Sequence, residues 1–214
     1  MSSASAVENQ EKNINFNISN HEFLVILGPS GSGKSTVLKL ISGLLEKDSG
    51  EIITTGGDVA MVFQYSALFD SLNVFDNISF ALQERKDLRN KYTRKELEKI
   101  VAEKLELVGL SGIEKKFPSE LSGGMQKRVS FARAIVTEPK IILYDEPTAG
   151  LDPQGALEIM ELFKELNNQG KTIVIITHEM DFVLKYCDEV VVMKNGKVEA
   201  NCDQFTFFYD DDLL

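Results

Sequence analysis

The chain has 214 residues, of which 43% are hydrophobic and 26% charged, ordinary values for a folded globular protein. Its formal net charge of −10 at pH 7 argues against non-specific binding to nucleic acid or to an anionic lipid surface. No apolar run approaches the roughly 20 residues that cross a bilayer, and the first ten residues lack the features of a signal peptide. We therefore expect a soluble, cytoplasmic protein that neither binds nucleic acid nor inserts directly into a membrane.

Residues 1–12 are predicted to form a polar tail, and residues 13–214 a single domain. The segments "NINFNIS" and "EFLVILG" are short and rich in β-branched or apolar residues, which is typical of strands. "TVLKLISGLL" carries apolar residues at helical spacing. "GEIITTGGDVAMVFQ" then returns to strand-like alternation around a Gly-Gly pair.

The middle of the chain is predicted to be helical, and the last third to alternate strands with helices. Thr93 and Glu96 form a capping-box pattern, and a helical subdomain is expected over about residues 71–135. The later segments "KIILYDE", "TIVIITH" and "EVVVMKNGKVEA" contain apolar runs without polar alternation, which indicates strands buried on both faces. The fold class is therefore α/β with a mostly parallel sheet covered by helices, and "KNGK" predicts a hairpin turn.

A phosphate-binding loop is predicted between the first apolar strand and the first helix. Gly28, Gly33, Lys34 and Ser35 fit the pattern G-x-x-x-x-G-K-[ST] in the structural context that this pattern requires. Backbone N–H groups and the helix N-terminus would surround the phosphates, Lys34 would reach the β- and γ-phosphates, and Ser35 would contact Mg²⁺. The whole predicted set is Gly28, Pro29, Ser30, Gly31, Ser32, Gly33, Lys34, Ser35 and Thr36.

Three further side chains are expected at the same edge of the sheet, where ligands bind in open α/β folds. Asp145 and Glu146 end the strand "IILYDE", and His178 ends the strand "TIVIITH". Asp145 would hold Mg²⁺, Glu146 would orient or deprotonate the attacking water, and His178 would contact the γ-phosphate. The alternatives are a solvated acidic pair and a structural histidine, and the neighbouring phosphate loop disfavours both.

A second stretch, "SELSGGMQKR", also has the chemistry of an anion site. Ser122, Gly123 and Gly124 open a predicted helix, whose N-terminus favours negative charge. A chain that already holds one phosphate site has no evident use for another. The residues alone therefore leave the role of this stretch open.

In this order, the motifs "GPSGSGKS", "VFQ", "LSGGM", "ILYDEP", "AGLD" and His178 resemble those of ATP-binding-cassette (ABC) ATPases. The resemblance covers nearly everything from Asn13 onward. It implies a P-loop NTPase core with a trimmed antiparallel β-subdomain and an inserted helical signature subdomain. It also implies ATP and Mg²⁺ as cofactors, and a signature that acts on the nucleotide of the opposite subunit. The implied roles are catalysis by Gln64, Glu146 and His178, metal binding by Ser35, Gln64 and Asp145, signature contacts by Ser122, Gly123 and Gly124, and a D-loop aspartate at Asp152.

Two departures from the family pattern concern the adenine side. Relatives usually stack adenine on an aromatic residue near the N-terminus, but this chain offers only Phe16 and Phe23 before Gly28, both expected to be buried strand residues. Adenine stacking is therefore not expected. The segment between Gly50 and Met61 is also short, which implies a trimmed β-subdomain.

The resemblance further implies an ATPase subunit of a multi-subunit transporter, acting as a homodimer with integral-membrane permease subunits at the cytoplasmic face of the inner membrane. The stretch after Gln64 resembles Mla-type ATPases of phospholipid traffic, which is the favoured interpretation. The tail "HEMDFVLKYCDEVVVMKNGKV" is similar to energy-coupling-factor, metal or amino-acid importers, which is the alternative. A soluble ABC assembly factor is the alternative from another class of protein.

Overall fold

The computed structural model describes residues 14–54, 57–63 and 67–209. Its strands are β1 (Phe23–Leu27), β2 (Val59–Val62), β3 (Ile141–Asp145), β4 (Thr172–Ile176), β5 (Glu189–Lys194) and β6 (Lys197–Asp203). Its α-helices are α1 (Lys34–Ile41), α2 (Val74–Glu84), α3 (Arg94–Leu107), α4 (Gly123–Ile135), α5 (Pro153–Asn168), α6 (Met180–Tyr186) and α7 (Gln204–Tyr209), with a 3-10 turn at Pro118–Glu120. No helix within these ranges is long and apolar enough to cross a membrane.

The strands of the described residues form one mixed sheet in the order β2-β3-β4-β1-β5-β6. Neighbouring strands from β2 to β5 pair in parallel, and β6 pairs antiparallel with β5. Every residue of β1 and β4 is buried, as continuous apolar strands require. The prediction of a mostly parallel sheet flanked by helices is confirmed.

Apolar residues cover both faces of the sheet. On one face, Phe163 of α5 packs edge-on against Phe131 of α4 and Tyr144 of β3, with ring centroids 5.1 and 5.6 Å apart. On the other face, Leu38 of α1 is fully buried with Leu24 and Ile26 of β1. Because both faces are covered, the carboxyl-terminal edge of the sheet is where polar side chains reach an open site.

The "KNGK" hairpin is confirmed and lies against the phosphate loop. Asn195 and Gly196 join β5 to β6, with φ angles of 51° and 73° that suit a two-residue hairpin turn. The Gly196 N–H donates to the Ser32 carbonyl over 3.2 Å. A Cβ added to Gly28 would lie 2.0 Å from the Met193 carbonyl oxygen of β5, so only glycine fits there.

Side chains cap the N-termini of helices α2 and α3. The Asn73 side chain accepts from the Asp76 N–H at the start of α2. Thr93 and Glu96 form the predicted capping box at the start of α3, which confirms that sequence signal. Helices α2, α3 and α4 lie within residues 71–135, and the assignment of that range as a separate subdomain stays a prediction.

The predicted first strand is wrong over its described residues 14–19, because these residues pair with no strand. Residues 50–54 are likewise outside any strand. The expected antiparallel β-subdomain is therefore present only as unpaired segments in the described part of the chain. Ile14, Phe16 and Ile18 are half-buried and alternate with exposed residues. The period-2 pattern therefore identified which residues pack, but none of the described strands pairs with this segment.

Candidate active site

The phosphate loop ends in a helix N-terminus that its own chain leaves uncapped. Gly33 precedes α1 with a φ of 99°, and no side chain of the described residues caps this helix. Gly31 also has a positive φ, of 77°. The buried Ser32 hydroxyl has no hydrogen-bond partner among the described residues. These groups form a cradle of donors available to an anion.

Lys34 is the charged centre of this cradle. Its side chain is folded inward, with the residue only 7% exposed, and its Nζ donates to the carbonyls of Gly28 and Pro29 over 2.7 and 3.0 Å. Burial lowers the pKa of the Lys34 ammonium, and the Glu146 and Asp145 carboxylates oppose that shift. The lysine is therefore positioned by its own loop at the centre of the phosphate site.

Glu146 lies just after the end of β3 and occupies an unfavourable backbone conformation. Its φ is 53°, a left-handed geometry that costs a non-glycine residue on the order of 1–2 kcal/mol. Its N–H donates to the Ile176 carbonyl of β4 over 3.0 Å. The sequence predicted that Glu146 ends the strand, whereas the structure ends β3 at Asp145 and places Glu146 at the start of the following loop. Such strain is characteristic of functional positions.

Glu146 and His178 form a close pair. The Glu146 Oε1 and His178 Nε2 atoms are 3.1 Å apart, and the side chains are 19% and 57% exposed, respectively. Burial raises the pKa of the Glu146 carboxyl, His178 and Lys34 oppose that shift, and Asp145 and Glu179 add to it. A raised carboxyl pKa beside an imidazole is a typical arrangement for proton transfer.

One cleft of about 1240 Å³ contains most of the predicted phosphate and catalytic residues. We call this cleft the nucleotide cleft. The predicted site residues that line it are Ser30, Gly31, Gly33, Lys34, Ser35, Thr36, Asp145, Glu146 and His178. A hydroxyl and a carboxylate, from Ser35 and Asp145, are the oxygen donors that Mg²⁺ prefers alongside phosphate oxygens. Gln64, the remaining predicted metal and catalytic residue, lies outside the described residues.

Apolar side chains also line the nucleotide cleft. Ile14, Phe16, Leu45 and Ile52 are among its lining residues. Phe23 is fully buried as expected, but Phe16 is half-buried and lines the cleft, so its assignment as a buried strand residue is corrected. Because residues 14–19 pair with no strand, the Phe16 side chain is not enclosed in a sheet and can line the cleft.

The signature residues lie away from the nucleotide cleft of their own chain. Ser122 caps α4, with its Oγ accepting from the Met125 N–H over 3.3 Å. Gly123 is exposed, and a Cβ added to Gly124 would make an ordinary 3.5 Å contact with Leu151. The D-loop residue Asp152 caps α5 by accepting from the Gly155 N–H over 2.9 Å. None of Ser122, Gly123, Gly124 and Asp152 lines the cleft.

Two contacts of the loop after Glu146 were not anticipated from the sequence. The Thr148 hydroxyl hydrogen-bonds to the Glu179 carboxylate, and Lys127 of α4 donates to the Ala149 carbonyl. The only available signal was the position of Thr148 and Glu179 beside Glu146 and His178 in the chain. Their pairing depends on which strands are neighbours in the sheet.

Comparison with known proteins decides the family. The profile of the family described as "ABC transporter" matches residues 11–149. This chain belongs to that family. The expectation drawn from the ordered motifs is confirmed at the family level.

Two relatives with similar sequences are named as import ATP-binding proteins. The methionine import ATP-binding protein MetN of Carboxydothermus hydrogenoformans is 43% identical over 202 residues, covering 87% of this chain and 58% of that protein. The sulfate/thiosulfate import ATP-binding protein CysA of Neisseria meningitidis serogroup A is 39% identical over 199 residues, covering 88% and 56%. This ABC chain therefore spans a little over half the length of these relatives.

Solved ABC structures share the fold over most of the chain. The ATP-binding cassette MJ0796, in a dimeric post-hydrolysis state bound to ADP and Pi, matches with a TM-score of 0.84 and 33% identity over 91% of this chain and 90% of that one. The protein cbiO1 from Clostridium perfringens, part of the ABC transporter complex cbiONQ, matches with a TM-score of 0.81 and 35% identity over 95% and 86%. Family model and fold therefore agree that this chain is a member of the ABC transporter family.

The lipid interpretation is not supported by these comparisons. It depended on the stretch after Gln64, whereas relatives aligned over most of the chain are named as importers of methionine and of sulfate or thiosulfate. The importer alternative, which depended on the tail of the chain, agrees better with them.

Proposed function

We propose that this chain is the nucleotide-binding subunit of an ABC importer, which hydrolyses MgATP at a two-fold dimer interface to drive uptake through a separate permease. The observation that carries the proposal is the Glu146–His178 pair, with its two side chains 3.1 Å apart, in the same cleft as Lys34 and Asp145. A water between Glu146 and a γ-phosphate held by Lys34 would be oriented for in-line attack.

Each side chain of the cleft has a distinct part in this reaction. Lys34 and the uncapped N-terminus of α1 hold the phosphates. Glu146 accepts a proton from the attacking water as the new P–O bond forms and the bond to the β-phosphate oxygen breaks. His178, on the solvent side of Glu146, donates to the γ-phosphate and stabilises its developing charge. A bound Mg²⁺, held by Ser35 and Asp145, would offset the negative charge of the phosphates.

For the transported substrate, we favour a small polar solute such as an amino acid or a sulfur oxyanion. Support comes from the relatives, which are named as import proteins for methionine and for sulfate or thiosulfate. An uptake assay in cells that lack this chain, with labelled methionine, sulfate and a fluorescent phospholipid offered in parallel, would distinguish the classes. A defect restricted to the phospholipid would contradict the importer proposal.

An exposed aromatic pair supports a membrane partner. Phe69 and Phe80 are 44% and 40% exposed, their ring centroids are 4.9 Å apart, and the Arg133 guanidinium lies 5.4 Å from the centre of the Phe69 ring. Aromatic residues beside an arginine are typical anchors of protein interfaces. We place the permease contact here, next to the segment that follows Gln64.

The catalytic assignment is tested by replacing Glu146 with glutamine. Glu146→Gln should bind MgATP nearly normally and hydrolyse it at least about a hundredfold more slowly, the scale of general-base loss. Glu22→Gln is the matched control, because burial also raises the pKa of that carboxyl but Glu22 lies at the opposite end of β1. Wild-type turnover by Glu146→Gln would exclude Glu146 as the base.

The transporter class is tested by co-purification with an integral-membrane protein. Phe69→Asp should abolish co-purification and leave ATP hydrolysis by the isolated chain intact. Phe205→Asp, at a residue that is 69% exposed on α7, should leave both unchanged. A chain that hydrolyses ATP and never recovers a membrane partner would favour the soluble assembly factor.

A further inference from the structure

We propose that Thr148 and Glu179 form a clamp that positions the catalytic pair Glu146 and His178. The proposal rests on the proposed function, in which Glu146 and His178 act on ATP. Neither Thr148 nor Glu179 is among the residues that line the nucleotide cleft. We therefore assign them as positioning residues.

The clamp joins two loops that follow neighbouring parallel strands. The loop after β3 carries Glu146 and Thr148, and the loop after β4 carries His178 and Glu179. Beginning at the sheet, the Glu146 N–H donates to the Ile176 carbonyl over 3.0 Å, and the Glu146 and His178 side chains then meet at 3.1 Å. Of the three contacts, the Thr148–Glu179 hydrogen bond is the farthest along both loops from the ends of β3 and β4. Along the two loops, the catalytic contact therefore has a hydrogen bond before it and another after it.

Burial shows why the outer bond is needed. His178 has a side chain that is 57% exposed, so packing does little to hold it. Thr148 is only 4% exposed and provides a fixed point for the loop of His178. Glu179 is further held by its own N–H, which donates to the hydroxyl of the fully buried Thr177 over 3.2 Å. The residues on both sides of His178 are therefore anchored, while the imidazole itself is not.

A loosened clamp should slow chemistry more than it weakens binding. The phosphates are held by Lys34 and the N-terminus of α1, which the clamp does not contact. The reacting groups, in contrast, must stay within roughly 0.5 Å of the productive geometry. Small displacements in such sites cost on the order of 10- to 100-fold in rate. A lowered kcat with an unchanged KM for ATP is the expected signature.

The test compares two variants that break the hydrogen bond with two that keep it. Thr148→Val has the same shape without the hydroxyl, and Glu179→Ala removes the acceptor from the exposed side without disturbing the core. Thr148→Ser and Glu179→Gln retain a donor and an acceptor. At pH 8 we expect kcat to fall about tenfold in the first pair, with KM within about twofold, and to stay within about threefold of wild type in the second pair. Equal kcat values in Thr148→Val, Glu179→Ala and wild type would overturn the proposal.

A second readout does not require hydrolysis. The chain has two histidines, and His21 lies before β1, at the other end of the sheet from His178. In NMR spectra of the imidazole groups, Thr148→Val and Glu179→Ala should move the His178 resonances and leave those of His21 in place. Thr148→Ser should move neither. If His178 moves but the wild-type chain hydrolyses no ATP, the clamp stands and the proposed function fails; if His178 does not move in either clamp-breaking variant, the clamp is wrong.

Discussion

The phosphate loop and the signature are both glycine-containing helix starts, yet the structure treats them differently. At the phosphate loop, Gly33 leaves the N-terminus of α1 without a side-chain cap, and the buried Lys34 supplies positive charge. At the signature, the Ser122 hydroxyl already caps α4, and no acidic or basic side chain lies in its first turn up to Gln126. The first site combines a helix N-terminus with a positively charged side chain, whereas the second has a helix N-terminus alone.

This difference indicates how the two sites are used. A helix N-terminus alone attracts an anion weakly, because its partial charge is screened by water when exposed. The signature becomes useful when another surface supplies the rest of the charge and excludes water. Its position outside the nucleotide cleft of its own chain supports our proposal that it contacts ATP bound to the phosphate loop of a second copy.

The largest contrast should come from alanine at one glycine of each loop. Gly28→Ala places a methyl group 2.0 Å from the Met193 carbonyl at a φ of 142°, so the phosphate loop or β5 must shift. We expect ATP binding to be lost and the free energy of unfolding to fall by about 3 kcal/mol or more. Gly123→Ala meets no atom within 4 Å and should unfold at the wild-type temperature. Calorimetric titration and thermal unfolding measure both, and equal stability of the two variants would remove the contrast.

Charge at the phosphate loop should have the next largest effect. Lys34→Ala removes the ammonium that is held over the phosphate loop by the Gly28 and Pro29 carbonyls. We expect ATP affinity to fall at least about a hundredfold, which corresponds to about 3 kcal/mol. Lys39→Ala, in the last turn of the same helix, should bind ATP as wild type does. Unchanged affinity in Lys34→Ala, measured by calorimetry, would argue against the phosphate-loop assignment.

A negative charge introduced at the signature should disrupt ATP-dependent dimerisation. Glu146→Gln with MgATP should sediment as a dimer, while the nucleotide-free chain, at net −10, should stay monomeric through self-repulsion. Adding Gly124→Asp should weaken dimerisation at least about tenfold, because the carboxylate meets the partner's γ-phosphate. The new Cβ makes only a 3.5 Å contact with Leu151, so the fold should survive.

The control for that experiment places the same charge elsewhere. Asn201→Asp adds one negative charge on an exposed position of β6 and should leave the ATP-dependent dimer intact. A dimer that forms equally well with Gly124→Asp would show that the signature does not act on a second copy.

A smaller effect is expected from the apolar side chains of the nucleotide cleft. Apolar side chains such as Ile14 and Phe16 line it, and apolar contact distinguishes adenine from guanine poorly. Affinities for ATP and GTP, measured by competition, should therefore differ by less than about 2 kcal/mol, the upper range of stacking and edge recognition. A larger difference would require a polar contact to the base.

The smallest predicted effect concerns stability and pH. The folded-state pKa of Glu146 is raised above its ordinary value of 4.5, so the folded chain favours the protonated carboxyl. Its ionisation therefore opposes folding once the pH rises through the folded-state pKa, and this cost is absent below pH 4.5. Glu146→Gln should raise the melting temperature at pH 8 by roughly 2–4 °C, with no gain at pH 4. Glu84→Gln, which replaces an exposed carboxyl of α2, is the matched control.

Local patterns of the sequence determined much of this protein. The phosphate loop, the Thr93 capping box and the "KNGK" hairpin were all predictable, because each depends on backbone preferences and contacts among consecutive residues. The placement of Asp145, Glu146 and His178 at one edge of the sheet also followed from the sequence, since parallel buried strands end on the same side.

The tertiary structure alone decided which of these residues meet. Residues 14–19 have the alternation of a strand and form none, because a strand needs a neighbour to bond to and, in the described part of the chain, residues 50–54 form no strand that could pair with them. Phe16 consequently lines the nucleotide cleft. The Thr148–Glu179 bond joins residues 31 positions apart, and it exists because β3 and β4 are adjacent in the sheet, an arrangement that depends on long-range packing rather than on any local pattern.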